Sequence, residues 1–397
     1  MSDFVDLELE SPFQPSTPVK PEFFKGRREI IKKILRYLNK SMKCDVQHFF
    51  LTGNRGMGKT SIAEFIMEEI KEFNILSVYV SNKNNNSVDS LVSNVMKALV
   101  NKLPPKSRSQ KVKTWFGDHV SEINIQGTKL KFNLDKTKEE DIKNNFLDYL
   151  TMSYTDLKDS YNAMFIIIDD INGLSESREF VDWYKQFADT VAVDDSYNIP
   201  LYFLLEGYQD KFDNLVELEP SFGRIFHYAD VDLLEDDEIK SFFNDTFTSL
   251  NITIDEDALN FMTEYTSGIP LTMQFIGDAV FWNLNENKIS IAYAKEGTII
   301  AARNMENNQI RRTLKQINNK LYENILIKIA SNNLTSFRQE NLHEILSEKE
   351  VDDIDAFLEK VKQLNIIQKD DYSDRYVFED MIFYTYYHIK AFERKYN

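Results

Sequence analysis

Hydrophobic and polar positions alternate between two periods along most of this chain. Ile30, Ile31, Ile34, Leu35 and Leu38 recur every three or four residues between Lys32, Lys33 and Arg36, which predicts a helix with one buried face. His48 to Thr52 is a short apolar run that predicts a buried strand. A glycine-rich turn follows it, and Ile62, Phe65, Ile66 and Ile70 then resume the helical spacing. Ile75 to Val80 reads as a second strand, and Val88, Leu91, Val92, Val95, Met96 and Leu99 as the stripe of a second helix. Phe165 to Ile168 and Leu201 to Leu205 supply two more buried strands, separated by a helical stretch around Phe180 to Ala188. Strands alternating with helices in this way predict a parallel α/β sheet.

The pattern breaks at both ends and once in the middle. Pro12, Pro15, Pro18 and Pro21 predict an extended lead-in over residues 1–17, ahead of an α/β core over 18–232. Inside that core, Pro104 and Pro105 end a helix, and Ile123, Ile125, Leu130, Phe132 and Leu134 alternate around Gln126-Gly127. This predicts a hairpin insertion between Lys102 and Lys138. After about Asp232 no further strand is expected, and Ile239, Phe242, Phe243, Leu259, Met262, Met273 and Ile276 predict a helical lid over 233–318. Residues 319–397 read as three helices (321–330, 339–346 and 354–364), then two short strands (366–368 and 376–378), the order of a winged-helix domain. The aromatic run Tyr384 to Tyr387 fits the packed end of a last helix.

Composition narrows the class. With 397 residues, 42% of them hydrophobic, the chain can build two or three compact cores. It carries 47 basic and 64 acidic residues, a formal charge of −17, the wrong sign for coating nucleic acid or anionic membrane. The charge is uneven: 9 basic against 3 acidic residues in the insertion 102–138, but 11 against 15 from Lys320 onward. The single Cys44 permits no internal disulfide, and no Cys/His cluster has zinc spacing, which points to a reducing cytoplasm. No apolar run approaches the roughly 20 residues of a membrane helix, and the acidic N-terminus predicts no secretory signal. Five scattered histidines and the absence of His-Glu-x-x-His and Gly-x-Ser-x-Gly leave no other hydrolytic chemistry in view.

One motif carries chemistry outright. Gly53-Asn54-Arg55-Gly56-Met57-Gly58-Lys59-Thr60 is a complete Walker A pattern, following a predicted strand and opening a predicted helix. The glycines let the backbone curl so that N–H groups face phosphate oxygens, and the helix adds its positive end. Lys59 supplies a movable charge for the β- and γ-phosphates, and the Thr60 hydroxyl a ligand for Mg²⁺. The strand Phe165 to Ile168 ends in Asp169-Asp170. Two carboxylates at the tip of a buried strand suit a Mg²⁺ shell (Asp169) and the orientation or deprotonation of a water (Asp170), although aspartates also cap helices. Glu206 ends the strand Leu201 to Leu205, in the place of a polar γ-phosphate sensor. Arg224 precedes a predicted edge strand, as a trans-acting arginine finger or an ordinary surface arginine.

These motifs resemble AAA+/STAND-type P-loop ATPases related to the origin-recognition and archaeal ATPase families. The resemblance runs from Pro12 to Trp282 and rests on Phe24-Lys25-Gly26-Arg27, on the Walker A run through Ser61, on Ile-Asp-Asp, and on Gly268-Ile269-Pro270-Leu271. It implies an adenine pocket along Val19 to Arg27, including Phe24, Gly26 and Arg27, and a lid contact from Pro270 that reports on bound ATP or ADP. DNA-associated relatives carry an arginine after the lid proline where this chain has Leu271, which favours the switch-like STAND branch. The expected function is a slow Mg²⁺-dependent ATPase switch acting through a protein partner, with homo-oligomerisation open and no membrane role. The alternatives are a DNA-associated loader or transposition-type ATPase that uses the basic insertion or the winged helix, and a nucleotide-dependent scaffold with negligible turnover.

Overall fold

The computed structural model describes residues 10–83, 85–102, 140, 142–370 and 373–396; apart from Lys102, the predicted hairpin insertion lies outside the described residues. The chain packs as two compact units that interleave along the sequence. One comprises Arg27–Gly53 and Ile62–Val231; the other takes the N-terminal segment to Gly26, Asn54–Ser61, and everything from Asp232 onward.

The first unit is the α/β sheet. Its elements are α1 (Arg28–Ser41), β1 (Gln47–Thr52), α2 (Lys59–Glu69), β2 (Ile75–Ser81), α3 (Val88–Lys102), α4 (Phe146–Leu157), β3 (Ala163–Asp169), α5 (Arg178–Val193), β4 (Leu201–Gly207), α6 (Gln209–Leu218), α7 (Phe222–Ile225) and β5 (Phe226–Asp230). The strand order is β2-β3-β4-β1-β5, with every pairing parallel. β1 and β4 are buried throughout and β3 up to its last residue, because helices cover both faces of a parallel sheet. α5 starts where Ser177 caps it, its hydroxyl accepting the Phe180 N–H at 3.2 Å.

At the other end of the sheet the core is aromatic. The His48 ring stacks on Phe203 at 5.8 Å between centroids, and its Nδ1 lies 2.9 Å from the Tyr184 hydroxyl. Tyr184 in turn packs on Phe226 at 5.1 Å. Burial, with the neighbouring His227 charge adding to it, pushes the His48 imidazole down to about 3.

In the second unit the described N-terminal residues 10–26 form one short 3₁₀ turn (Pro21–Phe23) and are firmly anchored. Phe13 is 3% exposed and sits among Phe242, Phe243 and Phe247, 5.0 Å from the last of these. The ring rests on Gly277, where a Cβ would fall 2.2 Å from its Cε1, and the Gln14 N–H donates to Gln274 Oε1 at 2.8 Å. The helical elements are α8 (Asp236–Thr248), α9 (Glu256–Thr266), α10 (Pro270–Asn283), α11 (Ile291–Met305), a π-helical turn (Glu306–Ile310) and α12 (Arg311–Ile317). α8 opens with a reciprocal capping box between Glu235 and Glu238. Strands do recur here: β6 (Thr253–Ile254) pairs in parallel with β7 (Lys288–Ile289). Two residues per strand are too few to print an alternating pattern on the sequence.

The C-terminal part holds α13 (Lys320–Ser331), β8 (Ser336–Phe337), α14 (Gln339–His343), α15 (Glu348–Asp352), α16 (Ile354–Gln363), β9 (Ile367–Lys369), β10 (Tyr376–Phe378) and α17 (Met381–Tyr396). Its sheet has three antiparallel strands, β8-β10-β9, one more than the pattern predicted. The single helix expected over 339–346 stops at His343. Ser347 then caps a new one, its N–H and hydroxyl both bonded to Glu350 Oε2 at 2.8 and 2.7 Å. Tyr384, Tyr386 and Tyr387 are buried in α17. No helix among the described residues is long and apolar enough to cross a membrane.

Two stability predictions follow from these cores. Native His48 stays neutral where the unfolded chain's imidazole would protonate, so the native state binds fewer protons and stability falls as pH drops from about 6.5 toward 3. That contribution is about 1.4 kcal/mol per pH unit. In His48→Phe the pH slope of urea-unfolding free energy should be shallower by about one proton; an identical slope would remove His48 as its source. Gly277→Ala, normally worth up to about 1 kcal/mol in a helix, should instead destabilise by driving Phe13 out of its seat. A gain in stability by denaturant titration would show that Phe13 does not occupy it.

Candidate functional site

The loop after β1 turns by means of its glycines. Gly53, Gly56 and Gly58 have φ of 146°, 81° and 88°, values that L side chains rarely adopt. At Gly53 a Cβ would meet Val231 at 3.0 Å, and at Gly56 it would meet Leu271 Cβ at 3.1 Å. Asn54 carbonyl O accepts from the Met57 N–H at 3.4 Å and from Lys59 Nζ at 3.2 Å, closing the turn that delivers Lys59, Thr60 and Ser61 to the start of α2.

The segment Asn54–Ser61 packs with the start of α10. The Leu271 N–H donates to Gly56 O at 3.2 Å, and Pro270, at the first position of α10, lies 3.8 Å from where a Gly58 Cβ would be. Leu271, which stands where an arginine was expected by resemblance, thus packs on Gly56. Ser61 Oγ accepts the Val19 N–H at 3.3 Å, which ties the segment leading to Phe24 and Gly26 to this loop. The backbone of Phe24-Lys25-Gly26-Arg27 turns through φ of 77° at Gly26 and 59° at Arg27, and a Cβ at Gly26 would strike Glu238. Lys25 pairs with Asp245 at 2.9 Å.

Arg55 has a partner that the motif did not predict. Its guanidinium donates to Gln309 Oε1 at 3.0 Å, from the π-helical turn, beside a cavity of about 180 Å³ that also reaches Thr313, Asn365 and Asp380. Burial raises the Asp380 carboxyl above its ordinary range, against the opposing pull of the Ile382 N–H and of Arg55.

The sheet unit collects a second group of polar residues at the C-terminal tips of its strands. In the strand register Leu51 lies opposite Glu206 and Ser81 opposite Asp169, while Ile168 opposite Leu205 sets Asp169 beside Glu206. The Tyr79 hydroxyl donates to Asp169 Oδ2, and the Asn82 N–H to the Asp169 carbonyl at 2.8 Å. Thr52 Oγ1 lies 2.8 Å from both the Tyr228 hydroxyl and Asp230 Oδ1. Glu206 is fully buried, and Asp169 and Asp170 are half-buried. Asp170 has a left-handed backbone and accepts from the Asn172 side-chain amide.

Arg224 stands apart from this group. It is exposed on α7, immediately before β5, and β5 begins opposite His48, at the start of β1. A strand's length, roughly 15 Å, therefore separates it from the tips of its own sheet. Tyr79, Asn172, Asp230 and Gln309 carry no motif signal; only their tertiary neighbours reveal them.

Comparison with known proteins agrees with this architecture. Residues 27–181 match the KAP family P-loop domain. The structure is similar to the Walker-type ATPase PABY2304 of Pyrococcus abyssi, with a TM-score of 0.55 and 18% identity over 92% of this chain and 96% of that one. It is also similar to Cdc6p from Pyrobaculum aerophilum, with a TM-score of 0.50 and 14% identity over 97% of this chain and 98% of that one. No curated protein matches the sequence. The α/β unit is a P-loop NTPase fold.

Proposed function

We propose that this chain binds ATP with Mg²⁺ on the Asn54–Ser61 loop and hydrolyses it slowly, as a switch of the AAA+/STAND class read by a protein partner. The observation that carries the reading is the run of three positive-φ glycines delivering Lys59 and Thr60 to a helix start directly after the buried strand β1. Backbone N–H groups in such a turn cradle phosphate oxygens, Lys59 neutralises the β- and γ-phosphates, and the Val19 to Arg27 segment lines the base. The donors on offer to a metal are the Thr60 hydroxyl and the Asp169 carboxylate, hard oxygens that suit Mg²⁺, which takes few protein ligands and keeps several waters. When bound, Mg²⁺ would neutralise negative charge on the nucleotide's phosphates.

Asp170 orients the attacking water and accepts its proton, and Glu206 senses the γ-phosphate from the tip of β4. Pro270 and Leu271, seated on Gly58 and Gly56, pass changes in the loop to the lid. A leucine at that position contributes packing where an arginine would contribute charge, which supports a regulatory ATPase over a fast motor. The acidic surplus from Lys320 onward supports a protein as the partner of the C-terminal, winged-helix-like part.

Calorimetry with ATP tests the site: Lys59→Ala should lose binding by at least tenfold, and unchanged affinity would sink the assignment. Asp170→Asn should bind ATP as the wild type does yet turn over far more slowly. In a homo-oligomer, Arg224→Ala should abolish any rise of specific ATPase activity with protein concentration. Retention of that rise would reduce Arg224 to an ordinary surface residue.

A further inference from the structure

The turn that follows β3 is built around a single amide. Asp170 holds φ 59° and ψ 62°, a left-handed conformation that asparagine and aspartate tolerate far better than other L residues. The Asn172 side-chain NH₂ donates to Asp170 Oδ1, and its Oδ1 accepts the Tyr208 N–H at 2.9 Å. One planar group thus joins the carboxylate at the tip of β3 to the backbone two residues beyond Glu206. An amide that donates at one end and accepts at the other has its flip state and rotamer fixed by both bonds.

The surroundings leave that amide little alternative. Gly207 makes room for it: a Cβ there would lie 3.2 Å from Asn172 Oδ1 and 3.3 Å from the Phe50 ring. On the far side the turn presses on the loop after β2, since a Cβ at Gly173 would fall 2.8 Å from the Asn85 carbonyl oxygen. The Asn82 N–H holds the Asp169 carbonyl from the same loop. The backbone is therefore determined by contacts on both flanks, and Asn172 is left to determine where the Asp170 carboxylate points.

We propose that Asn172 is a positioning residue for hydrolysis, holding the Asp170 carboxylate in one orientation and coupling it to the tip of β4. The inference rests on the reading of Asp170 as the group that orients water. A carboxylate free to rotate spends most of its time out of line with the reacting water, and misplacement by about 1 Å costs up to a hundredfold in rate.

Asn172→Asp separates this role from a structural one. It keeps an oxygen for the Tyr208 N–H and the shape of the turn, but removes the donor to Asp170. We expect kcat to fall roughly tenfold or more, with KM and ATP affinity within about threefold and the thermal midpoint little changed. In the Asp170→Asn background the same substitution should add little further loss, because two residues acting as one unit are not additive. A kcat within twofold of wild type for Asn172→Asp, alongside an impaired Asp170→Asn, would overturn the inference and spare the reading of Asp170. Wild-type turnover in Asp170→Asn would overturn both. A multiplicative loss in the double variant would show that Asn172 acts without Asp170.

Discussion

A parallel sheet buried on both faces has no room for chemistry along its strands, so polar work is confined to the tips. In this protein the constraint is tight: β1 and β4 are apolar or enclosed over their whole length, and β3 is buried until Asp169. The strand order then decides which tips are neighbours. With β4 between β1 and β3, Glu206 is flanked by the strand that feeds the glycine loop and the strand that ends in two aspartates. Tyr79, Asp169, Glu206, Thr52 and Asp230 are brought to one edge by register, and the turn after β3 adds Asp170 and Asn172. The backbone must also leave that edge sharply, and left-handed residues at Gly53 and Asp170 let it do so.

Legibility in the sequence followed the range of the interactions involved. The glycine loop was readable because its motif lies within eight consecutive residues, and the strands β1 to β4 because each is a short, dense apolar run. The bridge from Asn172 to Tyr208 spans 36 residues, and that from Arg55 to Gln309 spans 254. Neither leaves any periodic or compositional trace. Asn172 looks in sequence like a turn former, and Gln309 like one more polar residue on a helix. Arg224 was legible as a candidate only by its place before an edge strand; the direction of β5 is what separates it from its own sheet's tips. The third strand of the C-terminal sheet and the β6–β7 pair escaped because two residues cannot establish a period.

At Leu271 the chain departs from the pattern it resembles. Pro270 opens α10, and the next residue meets the loop through packing and a backbone N–H. This contact carries no side-chain charge. The aromatic end of the sheet is equally specialised. There His48 serves as a polar ring kept neutral by burial, its hydrogen bond to Tyr184 satisfying two groups that would otherwise be stranded in an apolar core.

The seat of Phe13 has a bearing on how the chain is made. Its ring completes a cluster with Phe242, Phe243 and Phe247 and lies on Gly277, so the two sides of that core are separated by more than two hundred residues of synthesis. All five strands of the sheet unit emerge from the ribosome in that interval, and the unit can close on contacts of its own. The N-terminal segment and the phosphate loop belong to the unit that finishes last. Their contacts with α10 can form only once that helix has been made. A chain interrupted before α10 would therefore carry a formed sheet with an unanchored N-terminus.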